Sequence, residues 1–299
     1  MPDRSGRHLT ACPSMTGAVH KAVAFAVLLL LSGVSVSWSA PARARLLSRE
    51  AREAFARYTA LTEARNEAEL GRGNLLLWID TLPDNQRRDA YQAVHRGEVK
   101  LEKLDTRADG SPIRCPGCLI HHWVGVAFIS GAKVDDVLSI LEDYDQHSSY
   151  YAPDVERSKL LAHDGDHFRA FLRFRRHKVI TIVLNTEHDI HYVRDGAQGA
   201  HSRSSATRIA EVENAGKSDE KEKAPGDDGG FLWGMETWWR MEERDGGVYV
   251  QSEVASLTRD IPAGLGWMIG PFVNGIPKET LTFTLEATRR AVVGKRPRP

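Results

Sequence analysis

The sharpest chemical motif in the chain is Cys115-Pro-Gly-Cys118, which His121 and His122 follow closely. A thioredoxin-like redox pair needs its first cysteine at the start of a helix, whereas this motif leads into a strand-like segment. Zinc would need more converging ligands, and alternation along a strand sends His121 and His122 to opposite faces. Redox catalysis and zinc binding remain alternatives. The favoured interpretation is a disulfide that closes a Pro-Gly turn, so the sequence predicts no metal and no cofactor.

Histidines offer a second route to chemistry, because the imidazole group titrates near neutral pH. His188 and His191 lie three residues apart on a predicted strand and therefore on opposite faces. The chain has neither a G-x-S-x-G nucleophile motif nor a phosphate-binding loop, and no H-E-x-x-H helix. We interpret most histidines as surface or hydrogen-bonded sheet residues, and the sequence predicts no catalytic residue.

Composition narrows the class of protein further. The 299 residues are 41% hydrophobic and carry 40 basic and 40 acidic side chains, for a formal net charge of zero. This is the composition of an ordinary globular protein, and it argues against a nucleic-acid binder with a broad phosphate-neutralising surface. Three cysteines are too few for a disulfide scaffold.

The N-terminus has the pattern of an export signal. Basic residues precede a stretch from Ala22 to Ala42 without a charged residue, and Ala42-Arg43-Ala44 fits a signal-peptidase site. The sequence therefore predicts a signal peptide over 1–44 that is cleaved after Ala44, and a periplasmic or secreted protein. An uncleaved signal, which would keep the chain at a membrane, is the alternative.

Hydrophobic periodicity predicts the elements that would position these residues. A helical pattern over 46–70 and a second one over about 83–95 indicate an N-terminal helical extension over 45–110. From Leu119 the period changes to two, and strand patterns follow at 119–129, 157–163, 167–175, 178–193, 201–212, 231–242 and 248–258, with a helix predicted over 132–144. A long helix is predicted from Pro277 to about Val293. The segment 213–230 has no large apolar residue and is predicted to be a disordered loop, as is the tail over 294–299.

This order predicts an α+β fold in which a curved antiparallel sheet wraps a long C-terminal helix, with the helical extension as an annex. A space between sheet and helix is a common place for a ligand. We expect Trp233, Met235 and Trp239 to share the face that lines it, since alternation groups them on one strand. The predicted cavity residues are Trp123, Tyr144, Tyr151, Arg173, His188, Trp233, Met235, Trp239, Glu253 and Trp267.

The chain resembles the START-like (SRPBCC, helix-grip) superfamily of lipid-transfer and polyketide-cyclase-like domains, over roughly 115–293. It is similar to exported bacterial members in which a helical segment precedes the sheet. The resemblance implies a cavity for a hydrophobic ligand and does not by itself imply chemistry. The residues that carry it are Ile120-His-His-Trp-Val-Gly125, Glu142-Asp-Tyr-Asp145, Tyr151-Ala-Pro153, Ser158-Lys-Leu160, Ser205-Ala-Thr-Arg-Ile209, Leu257-Thr-Arg-Asp-Ile-Pro262, Trp267, Pro271 and Pro277-Lys-Glu-Thr-Leu281.

Three functional hypotheses follow. The first is an exported, non-catalytic protein that binds a lipid-like or aromatic small molecule, with no nucleic-acid partner. The second is a cyclase-like or dehydratase-like enzyme, in which His188, Tyr144 or Glu253 would serve as acid–base groups. The third is a module that docks a protein partner through the N-terminal helices or the 213–230 segment, and it predicts an exposed apolar patch on those helices.

Overall fold

A computed structural model describes residues 47–71, 77–177, 180–261 and 266–295, with side chains described from Gly275 onward in the last range. The predicted signal peptide over 1–44 and the tail residues 296–299 lie outside these ranges, and so does the side chain of Trp267. Among the described helices, none has the length and apolar character that a membrane span requires.

The centre of the fold is an antiparallel sheet of nine strands in the order β1-β4-β11-β10-β8-β7-β6-β5, with the short β9 beside β8. Successive side chains of each strand point to opposite faces, and the central strands β4 and β11 are buried on both faces along most of their length. A separate hairpin joins β2 and β3. The strands are β1 (Lys100–Lys103), β2 (Arg107–Ala108), β3 (Ser111–Pro112), β4 (Cys118–Ser130), β5 (Val155–Asp164), β6 (His167–His177), β7 (Thr181–Arg194), β8 (Gly199–Glu213), β9 (Lys221–Glu222), β10 (Gly234–Arg244) and β11 (Gly247–Arg259).

The described helices are α1 (Arg49–Leu70), α2 (Asp84–His95), α3 (Val134–Leu141), α4 (His147–Tyr150) and α5 (Gly266–Lys295), with short 3-10 helices at Trp78–Thr81 and Tyr144–Gln146. Ser48 caps α1, since its hydroxyl accepts from the Ala51 amide at 3.0 Å. The single helix that was predicted over 132–144 corresponds to two elements, α3 and the start of the 3-10 helix at Tyr144–Gln146.

Helix α5 packs against one face of the sheet, which we call the concave face. Leu281, Leu285 and Val292 of α5 join the main apolar core with sheet residues such as Ile129 and Val250. The helix approaches β4 closely at Gly125, where a Cβ would lie 2.7 Å from Leu285 Cδ1. Pro277 lies inside α5 instead of beginning it, so the predicted start of this helix is wrong.

The N-terminal elements cover the opposite face, which we call the outer face. Val126, Phe128 and Tyr249 form a core there with Leu77, Ile79 and Val94 from the 3-10 helix and α2. Tyr58 of α1 packs on Trp238 and Ala255 in a second cluster. The annex therefore completes the outer side of the sheet, and this explains how its small apolar surface is buried.

The segment 213–230 corrects the expectation of disorder. Lys221–Glu222 pairs with the end of β8, and Glu220 holds the buried guanidinium of Arg173 with two contacts at 2.8 Å. The Glu211 carboxylate accepts from the amides of Gly229 and Phe231. Ion pairs and backbone hydrogen bonds place this segment on the sheet without any large apolar side chain, and composition alone could not reveal those partners.

The prediction of an α+β helix-grip architecture is confirmed by the large antiparallel sheet and the long C-terminal helix.

Candidate functional site

The candidate site is the concave face beneath α5. Trp239 of β10 is directly paired with Ser202 of β8 and with Ser252 of β11. Directly paired residues of antiparallel strands point to the same face. Trp239 packs against the core that includes Leu281 and Leu285 of α5, so this row of three side chains faces the helix. The predicted orientation of Trp239 therefore agrees with the structure.

The concave face has a packed half and an open half. The packed half lies beside α3, where buried Phe168, Ile190, Met241 and Val250 fill the space with α3 and the last turns of α5. In the open half, side chains in the middle of the sheet remain only half-buried, although strands flank them on both sides. These residues are Trp123, Leu172, Phe174, Ser204, Ala206, Met235, Thr237, Trp239 and Val254. Partial exposure at the centre of a sheet indicates open space above it.

Two buried hydroxyl groups mark the boundary between these halves. Ser202 and Ser252 are 2% and 1% exposed, and neither Oγ atom has a hydrogen-bond partner. A buried hydroxyl without a partner costs roughly 1–3 kcal/mol. Because they lie on opposite sides of Trp239 on the concave face, a polar group placed beside the indole would meet one hydroxyl or the other.

His188 lies on the concave face with its tautomer set by neighbours. Thr186 Oγ1 uses its proton to bond the Leu172 carbonyl, so His188 Nε2–H donates to Thr186 Oγ1 at 2.8 Å. The other nitrogen, Nδ1, then accepts from Ser204 Oγ at 3.4 Å. Burial, together with the smaller effect of nearby His147, lowers the pKa of His188 to about 4. The imidazole is therefore neutral at pH 7.

Tyr144 and Tyr151, two of the predicted cavity residues, are buried in the apolar core. Tyr144 donates to Tyr192, with the two hydroxyl oxygens 2.8 Å apart, and Tyr192 donates to the Leu141 carbonyl. Tyr151 donates to Thr288 Oγ1 of α5 at 3.0 Å. Burial raises the pKa of Tyr151 to about 12, and it raises the pKa of Tyr144 as well. Both therefore act as neutral hydrogen-bonding groups, and they tie the helix and the loop after α3 to the sheet.

Three of the predicted cavity residues do not face the cavity. Arg173 and Glu253 lie on the outer face, because β6 and β11 present Leu172, Phe174, Ser252 and Val254 to α5 and alternation turns their neighbours away. Trp233 precedes the first residue of β10 and packs beside Ala51, Phe55 and Leu257 on the α1 side. Trp123 and Met235 have the concave orientation that was predicted.

A buried polar chain under α1 accounts for Glu253. Its carboxylate accepts from His122 Nε2 at 2.7 Å and pairs with Arg65 of α1. His122 Nδ1 lies 2.9 Å from the Tyr58 hydroxyl, which in turn accepts from the Thr106 amide. Burial by itself would raise the pKa of Glu253, but hydrogen bonding and charge from His122 and Arg65 outweigh it and lower the pKa. This chain fastens the annex to the sheet.

The predicted disulfide is present between Cys115 and Cys118, whose Cα atoms are 5.3 Å apart. The Cys118 amide also donates to the Cys115 carbonyl at 3.2 Å, which closes the turn. Cys115 and Cys118 pack against Ala51 of α1, away from the concave face. They are therefore part of the connection between annex and sheet.

Sequence reasoning missed Ser202 as a site residue. The available signal is the run Ala200-His-Ser-Arg-Ser-Ser-Ala206, in which small residues alternate on one face of β8. Small side chains facing a helix leave room above the sheet.

Two surface grooves lie elsewhere. One, of about 560 Å³, lies between α1 and the β2–β3 hairpin and is lined by Glu53, Arg57, Asp109 and Arg114 among others. The other, of about 480 Å³, lies on the exposed side of α5 beside Lys278, Glu279, Phe283 and Glu286. Both grooves are lined by acidic and basic side chains, so neither groove is suited to an apolar ligand.

No family model and no curated protein matches the sequence. Among solved structures, the chain is similar to a STAR-related lipid transfer protein from Xanthomonas axonopodis, with 20% identity over 65% of this chain and 93% of that one and a TM-score of 0.45. Human STARD10 shows 9% identity over 72% of this chain and 82% of its own, with a TM-score of 0.41. The Zhui aromatase/cyclase from Streptomyces sp. R1128 shows 15% identity over 59% and 93%, with a TM-score of 0.36. The sheet order and the long C-terminal helix identify the fold of this chain as an α+β helix-grip fold.

Proposed function

We propose that this chain is an exported protein that binds a hydrophobic small molecule, lipid-like or aromatic, between the open half of the concave face and α5. The observation that carries the proposal is half-buried Trp239 at the centre of the sheet, flanked by the unpartnered hydroxyls of Ser202 and Ser252.

The chemistry of this face suits an apolar ligand with one polar group. Trp123, Met235, Trp239 and Val254 supply apolar surface, and methionine adapts to ligands of irregular shape. Burial of that surface would supply the affinity at roughly 25 cal/mol per Å² before the costs of association. A hydroxyl, carbonyl or carboxylate of the ligand would accept from Ser202 or Ser252 and thereby set its orientation.

A cyclase-like or dehydratase-like activity is the second candidate, and His188 favours it. The Nδ1 atom of His188 is aimed at half-buried Ser204, and a neutral imidazole accepts protons. However, its pKa of about 4 makes it a weak base, and Glu253, the proposed partner group, lies on the opposite face. His188→Gln separates the two candidates, because it would abolish turnover in an enzyme and leave binding of an apolar ligand within a few-fold of the parent.

The docking hypothesis is not part of the proposal. It requires an exposed apolar patch on the N-terminal helices, and the apolar side chains of α1 and α2 pack on the sheet. Among the described residues of the annex, Leu61 is the large apolar side chain that is exposed.

The export part of the proposal rests on the signal pattern over 1–44 and is supported by the Cys115–Cys118 disulfide, since such bonds persist in oxidising compartments. Mass spectrometry of the intact protein, purified from its own host, tests export. We expect a chain that begins at Arg45, and a full-length chain in the cytoplasm would contradict the export proposal.

Native mass spectrometry, followed by organic extraction, tests the binding proposal. We expect a discrete bound mass that extraction removes. The affinity for that compound should fall about five-fold in each of Ser202→Ala and Ser252→Ala, since a neutral hydrogen bond contributes about 1 kcal/mol. Ser205→Ala is the matched control, because Ser205 lies on the outer face and donates to Glu236. A protein that remains empty across long-chain fatty acids and polycyclic aromatics would refute the proposal.

A further inference from the structure

Two histidines and an aspartate meet on the outer face of the β6–β7 pair, away from the concave face. His167 of β6 is directly paired with His191 of β7, and Asp189 lies two residues before His191 on the same strand. Pairing and alternation therefore place all three side chains on one face. The geometry follows from strand register and does not depend on a flexible loop.

The ligand atoms of the three side chains lie close to one another. Asp189 Oδ2 lies 2.9 Å from His167 Nε2, and Asp189 Oδ1 lies 3.1 Å from His191 Nε2. The two imidazole rings are stacked, with centroids 4.2 Å apart and planes 2° from parallel. One ligand atom from each residue lies within 4.8 Å of the others.

These separations are close to what a tetrahedral metal ion requires. Ligand atoms about 2.0–2.1 Å from Zn²⁺ at tetrahedral angles are about 3.3 Å from each other, against 2.9 and 3.1 Å for the two nitrogen–oxygen pairs here. Rotation of the two rings out of their parallel stack would direct both Nε2 atoms to an ion at the centre. The ion would replace the two Nε2 protons that the carboxylate now accepts. Each ring would bind through Nε2 as a neutral imidazole with its one proton on Nδ1, and any further proton would leave to solvent.

We propose that His167, Asp189 and His191 form a binding site for a divalent transition-metal ion, for which Zn²⁺ is the best match to the donor set. Two imidazoles and one carboxylate favour Zn²⁺, Co²⁺ or Ni²⁺ over Mg²⁺ or Ca²⁺, which prefer oxygen ligands. The side chains are 39%, 34% and 61% exposed in sequence order, so the ion has access from solvent. Three protein ligands leave a fourth position open for water or a small anion.

The neighbouring charges leave the site free for a cation. Arg169 is paired with Asp189 across the strands, but its guanidinium interacts with Glu187 at 3.6 Å. Arg203, opposite His191 on β8, interacts with Glu236 at 3.2 Å and Glu63 at 3.4 Å. Each arginine therefore has its own carboxylate partner.

Titration of the untagged full chain with ZnCl₂ in chelator-free buffer, followed by calorimetry, tests the proposal. We expect binding of one ion at this site with a dissociation constant in the micromolar range. Each of His167→Asn, Asp189→Asn and His191→Asn should weaken it at least ten-fold. Co²⁺ should give a visible absorption band that the same variants remove.

His201→Asn is the matched control. His201 and Asp195 form a comparable pair, with Nδ1 and Oδ2 2.7 Å apart, but without a second histidine. Its replacement should leave Zn²⁺ affinity unchanged. The proposal is overturned if Zn²⁺ does not bind even at a concentration 100-fold above the expected dissociation constant. It is also overturned if the three site variants bind Zn²⁺ as tightly as the parent. Circular dichroism of each variant excludes loss of the fold as the cause.

Discussion

Replacement of Glu253 by glutamine probes the buried polar chain that fastens α1 to the sheet. The Glu253 side chain is 3% exposed and meets both His122 Nε2 and the guanidinium of Arg65. Glutamine keeps the shape and removes the charge, so Arg65 and His122 lose the carboxylate that both approach. The expected result is a less stable protein with an unchanged fold.

The size of the effect follows from burial. Loss of one partner from a buried ion pair costs roughly 3–5 kcal/mol, and we take the lower end because the Arg65 side chain is 37% exposed and solvent screens it. About 3 kcal/mol corresponds to a fall in melting temperature of roughly 6–12 °C for a domain of this size. The folded-state pKa of Glu253 is lowered from 4.5, so its stabilisation is present above pH 4.5 and disappears as the pH falls through the lowered value.

Thermal unfolding followed by circular dichroism at pH 7 measures this loss. Glu187→Gln is the control, because Glu187 lies on the same outer face but contacts Arg169 and Arg208 at 3.6 and 3.9 Å with 29% of its side chain exposed. An exposed pair of this kind contributes about 0–1 kcal/mol. If the two variants unfolded at the same temperature, the reasoning about the buried chain would be refuted.

Three further changes test other parts of the structure. Burial lowers the pKa of His188 to about 4, so the free energy of unfolding should fall by about 3 kcal/mol as the pH drops from 6.5 toward 4. In His188→Gln the free energy of unfolding, measured with urea, should depend less on pH over this range. An unchanged pH dependence would contradict the prediction. A Cβ at Gly125 would lie 2.7 Å from Leu285 Cδ1, so Gly125→Val should lower the free energy of unfolding by about 1–3 kcal/mol. Gly294→Ala is the control, because nothing lies within 4 Å of its Cβ. Equal melting temperatures of the two variants would argue against close packing of α5 on β4. Glu220→Gln removes the carboxylate charge that holds Arg173 and should speed tryptic cleavage after Lys217, whereas an unchanged rate would indicate that other contacts place the segment.

The sequence predicted the architecture because the relevant signals are local. Alternation on β10 separates Trp239 from Trp238, and the structure places them on opposite faces, under α5 and under α1 respectively. The same rule failed for Trp233 because the strand begins at Gly234, and alternation does not extend beyond a strand end. The strand was predicted to begin at 231, and this error of three residues was enough to assign Trp233 to the wrong face.

The charged residues were harder to place because their partners are distant in sequence. Glu253 meets Arg65 from 188 positions earlier, and Arg173 meets Glu220 from a segment without large apolar residues. Spacing carries no information about such pairs. Arg173 and Glu253 were predicted to line the cavity, whereas the annex and the 213–230 segment supply their counter-charges on the outer face.

Helix α5 shows a third kind of limit. Proline favours the first turn of a helix, and on that basis Pro277 was predicted to begin one, but the described helix begins at Gly266. Packing against the sheet outweighs the local cost of an internal proline. Unpartnered hydroxyls such as that of Ser202 likewise become visible only when the surrounding atoms are placed.

Adjacent Trp238 and Trp239 permit the most direct test of the central claim, that an apolar ligand lies on the concave face. Bromine quenches the fluorescence of a tryptophan in contact with it, so titration with a dibrominated long-chain fatty acid reports which indole it touches. We predict quenching that is retained in Trp238→Phe and much reduced in Trp239→Phe. Saturable quenching that is unaffected by loss of Trp239, or that depends on Trp238, would place the ligand elsewhere and contradict the account.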